Sequence, residues 1–209
     1  MIVAIDGPAA SGKGTLARRL AAHYGLRHLD TGALYRATGW RVLAAGGDPA
    51  NAADAVNAAG EIRPEDTGRE ELRTDRVAQA ASVVAAIPAV RDRLLAFQRD
   101  FARTPPGAVL DGRDIGTVVC PEADAKLFVT ASIEARARRR FNELRGRGED
   151  VIYSAVLQDM KQRDARDSGR AVAPLKPAED AFFLDTSDLD ADQAFAAALA
   201  FISEKTGRR

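Results

Sequence analysis

The sequence predicts an α/β protein: a three-layer fold in which a five-stranded parallel sheet carries helices on both faces. Two observations support this prediction. Short runs of apolar and β-branched residues recur along the chain, which is typical of buried parallel strands. Segments with helical periodicity follow these runs, as expected when crossover helices join parallel strands. At 209 residues the chain is long enough for one such domain with a small insertion.

Five short segments are predicted to be strands. They are MIVAID at 1–6, LRHLD at 26–30, AVLDG at 108–112, AKLFVT at 125–130 and AFFLDT at 181–186. Aspartates close three of these runs, at Asp6, Asp30 and Asp111. Ligands of parallel α/β sheets bind at the carboxyl ends of the strands. The three carboxylates are therefore predicted to lie at the functional edge of the sheet.

The predicted helices alternate with these strands. They span about 14–24, 31–45, 74–86, 88–103, 132–148, 151–168 and 190–207. Leu16 and Leu20 share one face of the first helix, and Gly25 ends it. Pro88 suits the first position of a helix, and Ser132 is a good N-cap. Residues 48–72 are acidic, turn-rich and poor in large apolar side chains, so we expect an exposed, mobile insertion there.

Composition excludes several classes of protein. Thirty basic residues balance thirty acidic ones, which argues against a general nucleic-acid or membrane-surface binder. The sequence has no run of eighteen apolar residues and no basic segment before MIVAID, so we expect no membrane span, no signal peptide and a cytoplasmic protein. The single Cys120 permits neither an intrachain disulfide nor a cysteine-based zinc site. Two histidines, His23 and His28, cannot form a histidine-rich metal site.

A phosphate-binding loop lies between the first strand and the first helix. GPAASGKGT has the spacing of glycine, four residues, glycine and lysine. Its candidate nucleotide-binding residues are Gly7, Pro8, Ala9, Ala10, Ser11, Gly12, Lys13, Gly14 and Thr15. Glycines allow the backbone amides to surround an anion, and the lysine reaches the β and γ phosphates. The alternative is a glycine-rich turn that binds nothing, but the position between strand and helix favours ATP.

Two oxygen donors near this loop are candidates for a Mg²⁺ site. The hydroxyl of Thr15 comes one residue later than in the general pattern, because Gly14 occupies the usual position of serine or threonine. Asp111 closes a strand beside the loop and could hold Mg²⁺ directly or through water. An aspartate at a strand end can also be a simple cap or turn residue. The phosphate loop favours the metal interpretation.

Arginines form stripes on two consecutive predicted helices. One stripe is Arg136, Arg139 and Arg140; the other is Arg163, Arg166, Asp167 and Arg170. Such stripes are commonly solvated faces. Here they flank the turn GRGED, which indicates a short lid that closes guanidinium groups over a nucleotide and excludes water.

Five segments together resemble one family over nearly the whole chain. They are GPAASGKGT, LDTGALYR, PAVRDRL, LDGRDIGTVV and RDARDSGRAVAPL, and in this order they closely resemble the bacterial cytidylate kinases, which are nucleoside-monophosphate kinases. The resemblance implies ATP-dependent phosphorylation of CMP or dCMP with Mg²⁺ by a monomer. It also implies one P-loop kinase domain over 1–209, with a monophosphate-binding subdomain at about 31–105 and a lid at about 146–170.

The resemblance implies roles for individual residues. The cytosine pocket would comprise Thr31, Arg91, Asp114 and Arg170; the sugar would contact Ser82, Arg163 and Asp167; the monophosphate would contact Arg36 and Arg113. Catalysis would use Lys13, Arg36 and Arg113, with Arg136 and Arg139 covering the ATP phosphates. The stretch 60–73 departs from the family, because some members have a longer, strand-rich insertion there.

Two other functions remain open at this point. The first is a different small kinase on the same fold, with shikimate or dephospho-coenzyme A as acceptor. The second is a nucleotide-dependent switch that changes partners and uses the loop only for binding. No NKxD segment is present to read guanine, and an arginine-rich lid is superfluous in a slow hydrolase. In none of these readings is nucleic acid or a membrane the partner.

Overall fold

The computed structural model describes residues 1–208 and contains one sheet of five parallel strands. The strands are β1 (Ile2–Asp6), β2 (Arg27–Asp30), β3 (Ala108–Gly112), β4 (Ala125–Thr130) and β5 (Phe182–Asp185). Their spatial order is β2-β3-β1-β4-β5, and every neighbouring pair is parallel. The predicted α/β fold with five parallel strands is confirmed. β1 lies at the centre, so the loop that follows it emerges in the middle of the carboxyl edge.

Within the described part of the chain, eight α-helices connect and cover these strands. They are α1 (Lys13–Tyr24), α2 (Thr31–Ala44), α3 (Ala52–Gly60), α4 (Asp75–Val84), α5 (Pro88–Arg103), α6 (Ile133–Gly146), α7 (Tyr153–Ser168) and α8 (Ala191–Thr206). Short 3₁₀ turns occupy Pro64–Gly68 and Glu70–Arg73, and a π turn occupies Ile115–Val119. The Ser132 hydroxyl accepts a hydrogen bond from the Ala135 amide, which confirms the predicted N-cap of α6. None of the described helices is long and apolar enough to cross a membrane.

The two faces of the sheet have separate apolar cores. Helices α1 and α8 cover one face, where Leu20 and Ile202 are fully buried. Helices α2, α4 and α5 cover the other, with Leu34, Leu94 and Leu110 in its centre. Burying each of these aliphatic side chains stabilises the fold by about 1.5–3 kcal/mol. The sheet is therefore held rigidly from both sides, while its carboxyl edge stays available for ligands.

The insertion is better packed than its composition predicts. Residues 52–60 form helix α3, whose first amides are capped by the side chain of Asn51. Ala55 and Ala59, four residues apart, are buried in the core, and Leu72 is 1% exposed. The prediction of an exposed segment is wrong for these positions. Alanine is small enough to let a helix backbone approach its neighbours, so a segment without large apolar residues still packs closely.

Candidate active site

The phosphate loop has the backbone that its glycines predict. At Gly7, with φ of 154°, an added Cβ would lie 1.9 Å from the carbonyl oxygen of Val129 on β4, so no side chain fits. Gly12 takes φ of 90°, and Ala10 also lies in the left-handed region at 58°. Helix α1 begins at Lys13 without a side-chain cap on its N-terminus. Its first amides are therefore free to bind an anion, and the helix dipole favours one there.

Lys13 lies at the base of the loop and is largely withdrawn from water. Its Nζ donates to the carbonyl oxygen of Pro8 at 3.1 Å, and the residue is 9% exposed. The pKa of Lys13 is lowered to about 7, mainly by burial and next by the nearby Arg113 cation, against the opposing effect of Asp111. A phosphate beside Lys13 would favour its charged form, so nucleotide and proton binding are coupled at this amine.

One cavity at the carboxyl edge of the sheet joins the loop to the predicted acceptor residues. Its volume is about 320 Å³, and Ala9, Ala10, Lys13 and Gly14 form the wall on the loop side. All nine residues predicted to bind the acceptor line this cavity: Thr31, Arg36, Ser82, Arg91, Arg113, Asp114, Arg163, Asp167 and Arg170. The first and last of these residues, Thr31 and Arg170, are 139 positions apart in sequence, and the sheet topology brings the whole set together.

A buried ion pair occupies one end of this cavity. The guanidinium of Arg91 on α5 donates to the carboxylate of Asp114, and both residues are nearly inaccessible to water. Arg91 also donates to the carbonyl oxygen of Ala85 at 3.1 Å and lies over the ring of Tyr35, 5.4 Å from its centroid. These contacts fix the orientation of Asp114. A carboxylate held in this way can accept a hydrogen bond from an amino group of a ligand.

A second carboxylate orders two more arginines. Asp167, 1% exposed, accepts from Arg113 Nε at 2.7 Å and also pairs with Arg170. Burial opposes ionisation of Asp167, but the flanking cations Arg113 and Arg170 outweigh burial and lower its pKa below the usual value. The carboxylate therefore stays charged and holds both guanidinium groups beside the cavity.

Arg36 is placed by the start of its own helix. Asp30 caps α2 by accepting from the Ala33 amide at 3.2 Å, and it also accepts from Arg36 at 2.6 Å. Burial works against the charge on Asp30, yet Arg36 and the more distant Lys13 lower its pKa. The predicted strand-end carboxylate at position 30 thus serves to orient a phosphate-binding candidate.

The guanidinium of Arg163 is only partly satisfied by the described residues. Its Nε is buried and has no hydrogen-bond acceptor among the described residues. The pKa of Arg163 is lowered to about 10, mainly by burial and next by repulsion from Arg113, against the opposing effect of Asp167. The neighbouring Ser82 hydroxyl contacts Nε of Arg166 at 3.2 Å. A guanidinium in this state would gain from an anionic or hydroxyl-bearing ligand.

The residues predicted to hold Mg²⁺ are consistent with that ion. The carboxylate of Asp111 lies beside the loop, 3.7 Å from where a Cβ on Gly14 would stand, and the Thr15 side chain is exposed at the start of α1. Across residues 1–208 no group of three acidic, histidine or cysteine side chains forms a complete metal cage. Mg²⁺ bound to nucleotides needs only one or two protein oxygen ligands, because phosphates and water supply the others.

Arg136 and Arg139, which were predicted to cover the ATP phosphates, are not among the residues that line this cavity. Arg136 is 5% exposed and forms a forked ion pair with Asp164, at 3.2 and 2.6 Å. It also donates to the carbonyl oxygen of Ala9 at 3.3 Å. Arg139 donates to the hydroxyl of Thr186 at 3.0 Å. Arg136 thus joins α6, α7 and the loop, and contact of either arginine with ATP stays a prediction.

Sequence reasoning overlooked three residues of the site. Tyr35 lines the cavity one helical turn after Thr31, a spacing that the sequence does show. Asp164 anchors Arg136, and His28 contacts Asp111 with Nε2 at 2.8 Å from Oδ2. Nothing in the local sequence indicates these last two contacts, because each joins different elements of the fold.

Comparisons with known proteins identify the family of this chain. The family described as Cytidylate kinase matches residues 3–204. A cytidylate kinase of Paramagnetospirillum magneticum is 64% identical over 207 residues, covering 98% of each chain. One from Xanthobacter autotrophicus is 62% identical over 209 residues and covers 100% of both chains. A solved structure of an uncharacterized protein from Eubacterium ventriosum shares the fold alone, with a TM-score of 0.55, 16% identity and coverage of 97% of this chain and 98% of that chain. The chain therefore belongs to the cytidylate kinase family.

Proposed function

We propose that this protein transfers the γ-phosphoryl group of ATP to CMP or dCMP and releases ADP with CDP or dCDP. The observation that carries the proposal is the cavity that joins the phosphate loop to the Arg91–Asp114 pair. The family membership supports the same reaction. Shikimate kinases share the loop, but shikimate has no amino group for Asp114 to read. Dephospho-coenzyme A does carry one, on its adenine, so the acceptor panel below is what separates that alternative.

Catalysis in this proposal depends on positioning and charge rather than on a covalent intermediate. The attacking oxygen belongs to the monophosphate and is already anionic, so no protein nucleophile is needed. Loop amides and Lys13 bind the donor phosphates, while Arg36 and Arg113 bind the acceptor phosphate. Their cations stabilise the charge that spreads over the transferring group. Arg163 adds positive charge beside the sugar and phosphate of the acceptor.

We assign Thr15 and Asp111 to a Mg²⁺ ion that arrives with ATP. The ion would supply charge neutralisation for the β and γ phosphates. The Thr15 hydroxyl and the Asp111 carboxylate are hard oxygen donors of the kind this ion prefers. Arg136 and Arg139 are assigned to the donor side, where Arg136 supports the loop through the carbonyl of Ala9.

Discrimination among pyrimidines follows from Asp114. Cytosine carries an exocyclic amino group that can donate to this carboxylate, whereas uracil presents a carbonyl oxygen at that position. Two acceptors facing each other leave both unpaired, which costs about 1–3 kcal/mol for a buried polar group. We therefore propose that CMP and dCMP are preferred over UMP, with Thr31 and Arg170 completing the pocket.

Two regions of the chain are proposed to move relative to the central sheet. Residues 31–105 would form the monophosphate-binding subdomain and 146–170 the lid. The proposed monophosphate-binding subdomain already contacts both α6 and the proposed lid. Arg140 on α6 pairs with Asp75, and Arg147 of the lid donates to the carbonyl of Arg73 at 2.8 Å. Closure of these regions would exclude water, which protects ATP from hydrolysis. We further propose that the protein acts as a monomer in the cytoplasm.

The test is ADP formation from MgATP measured with a panel of acceptors: CMP, dCMP, UMP, AMP, shikimate, dephospho-coenzyme A and none. We expect CMP and dCMP to give the highest rates, with little ADP in the absence of an acceptor. A nucleotide-dependent switch would show slow hydrolysis that no acceptor stimulates. Stimulation by shikimate or dephospho-coenzyme A alone would also contradict the proposal.

A further inference from the structure

We propose that His28 is a positioning residue for the nucleotide-bound metal: its Nε2–H holds the Asp111 carboxylate so that the other oxygen faces the phosphate loop. The inference rests on the proposed function and extends it to a residue outside the cavity wall. His28 lies on β2 and Asp111 ends β3. In the β2–β3 pairing, His28 is opposite Val109 and Asp30 is opposite Asp111. Side chains two residues apart share a face of a sheet, so His28 and Asp111 are diagonal neighbours.

The two oxygens of Asp111 have different surroundings. Oδ2 is 2.8 Å from Nε2 of His28, while Oδ1 lies toward Gly14 at the start of α1. An ionised carboxylate only accepts hydrogen bonds, so Nε2 must be the donor in this contact. The Asp111 side chain is 5% exposed, and water has little access to compete for Oδ2. The histidine therefore restricts rotation of the carboxylate and leaves Oδ1 as the oxygen directed at the loop.

The rest of the site depends on this orientation. Lys13 lies close enough to Asp111 for the carboxylate to affect its pKa, and without the hydrogen bond to His28 the carboxylate could turn toward that amine. A carboxylate paired with Lys13 would no longer be directed at the metal. Partners that orient metal ligands in this way typically account for 10–100-fold in metal affinity.

The experiment measures metal affinity directly. Mn²⁺ is titrated into the protein saturated with ADP, and free Mn²⁺ is followed by electron paramagnetic resonance. His28→Phe keeps a flat ring but removes the donor, and we expect about tenfold weaker Mn²⁺ binding. His28→Gln retains an N–H donor and should recover most of the affinity. His23→Phe changes the other histidine, which is exposed on α1, and should match the unaltered protein.

Several results would overturn the inference. An Mn²⁺ affinity for His28→Phe within about twofold of the unaltered protein would do so. Equal losses for the phenylalanine and glutamine variants would do so too, because the donor would then be irrelevant. If neither variant folds, nitrogen-15 NMR of the unaltered protein decides, and an Nε2 without a proton rejects the role. Normal Mn²⁺ binding without CMP-dependent ADP formation would instead reject the proposed function and leave this inference standing.

Discussion

The two ends of the cavity differ in how completely their buried charges are paired. At the proposed base end, Arg91 pairs with Asp114, and Arg170 pairs with Asp167. At the proposed phosphate end, Arg36 and Arg113 have the carboxylates of Asp30 and Asp167 as partners. Lys13 and Arg163 form no salt bridge with a carboxylate within residues 1–208, and the pKa of each is lowered. A phosphate bound beside these two cations would offset the repulsion that Arg113 exerts on both.

The largest effect should come from breaking a matched pair. Arg91→Met leaves the Asp114 carboxylate buried without its partner, which we expect to lower the free energy of unfolding by about 3–5 kcal/mol. Arg163→Met removes a cation that has no salt bridge among the described residues. This substitution should change the free energy of unfolding by no more than about 1 kcal/mol. Urea denaturation of the two ligand-free variants checks this contrast. Similar losses in both would show that the two ends do not differ.

Removing the loop lysine tests the phosphate end by activity. Lys13→Ala should reduce turnover with CMP by about 10²-fold or more, because one preorganised cation beside the transferring group is lost. Lys161→Ala, at an exposed position on α7, is the matched control and should retain normal turnover. Steady-state ADP formation provides the measurement. Near-normal turnover of the Lys13 variant would reject its assignment.

The lowered pKa of Lys13 predicts a pH effect on stability. In the unfolded chain the Lys13 amine has its ordinary, higher pKa, so it stays protonated well above neutral pH. In the ligand-free fold it loses its proton near pH 7. Above about pH 7 the unfolded state binds more protons, so the free energy of unfolding rises with pH. Relative to Lys13→Met, we expect a gain of about 2 kcal/mol between about pH 7 and about pH 9. The free energy of unfolding is measured by urea denaturation at each pH. An equal change with pH in the two proteins would contradict this prediction.

The smallest effect concerns pyrimidine selectivity. Asp114→Ala should reduce the ratio of kcat/KM for CMP over UMP by about tenfold, because one charge-assisted hydrogen bond to the amino group is lost. The ratio cancels general damage from leaving Arg91 unpaired. Asp92→Ala, exposed on α5, should leave the ratio unchanged. Equal losses with both acceptors would count against a role for Asp114 in reading the base.

Local patterns predicted the central architecture and the phosphate loop, and the family resemblance supplied the pocket residues, but neither predicted some of the packing. Strands β3 and β4 and helix α5 have the predicted bounds, since apolar runs and a proline mark them. Helix α3 was not predicted, because Ala55 and Ala59 carry a weak apolar signal. Small side chains bury well only when a neighbour approaches closely, and that depends on the tertiary fold.

The arginine stripes show the same limit. Helical spacing places Arg136 and Arg139 on one face, but it does not say what that face meets. In the structure Asp164 from α7 and Thr186 after β5 bind these side chains. Both partners are more than 25 residues away in sequence, since the separations are 28 and 47. Periodicity identified the face, and only the packing of α6 determined its neighbours.

Asp6 fixes the distance between the phosphate loop and the segment that follows Asp114. Its carboxylate accepts from the amides of Ile115 and Gly116 at 2.7 and 2.8 Å. Position 6 directly precedes the phosphate loop, and position 115 directly follows Asp114. A single side chain therefore sets the spacing between the loop proposed to bind the triphosphate and the carboxylate proposed to read the base. If both proposals hold, closure of the outer segments need only exclude water, because the alignment of the two nucleotides is already set by the central sheet.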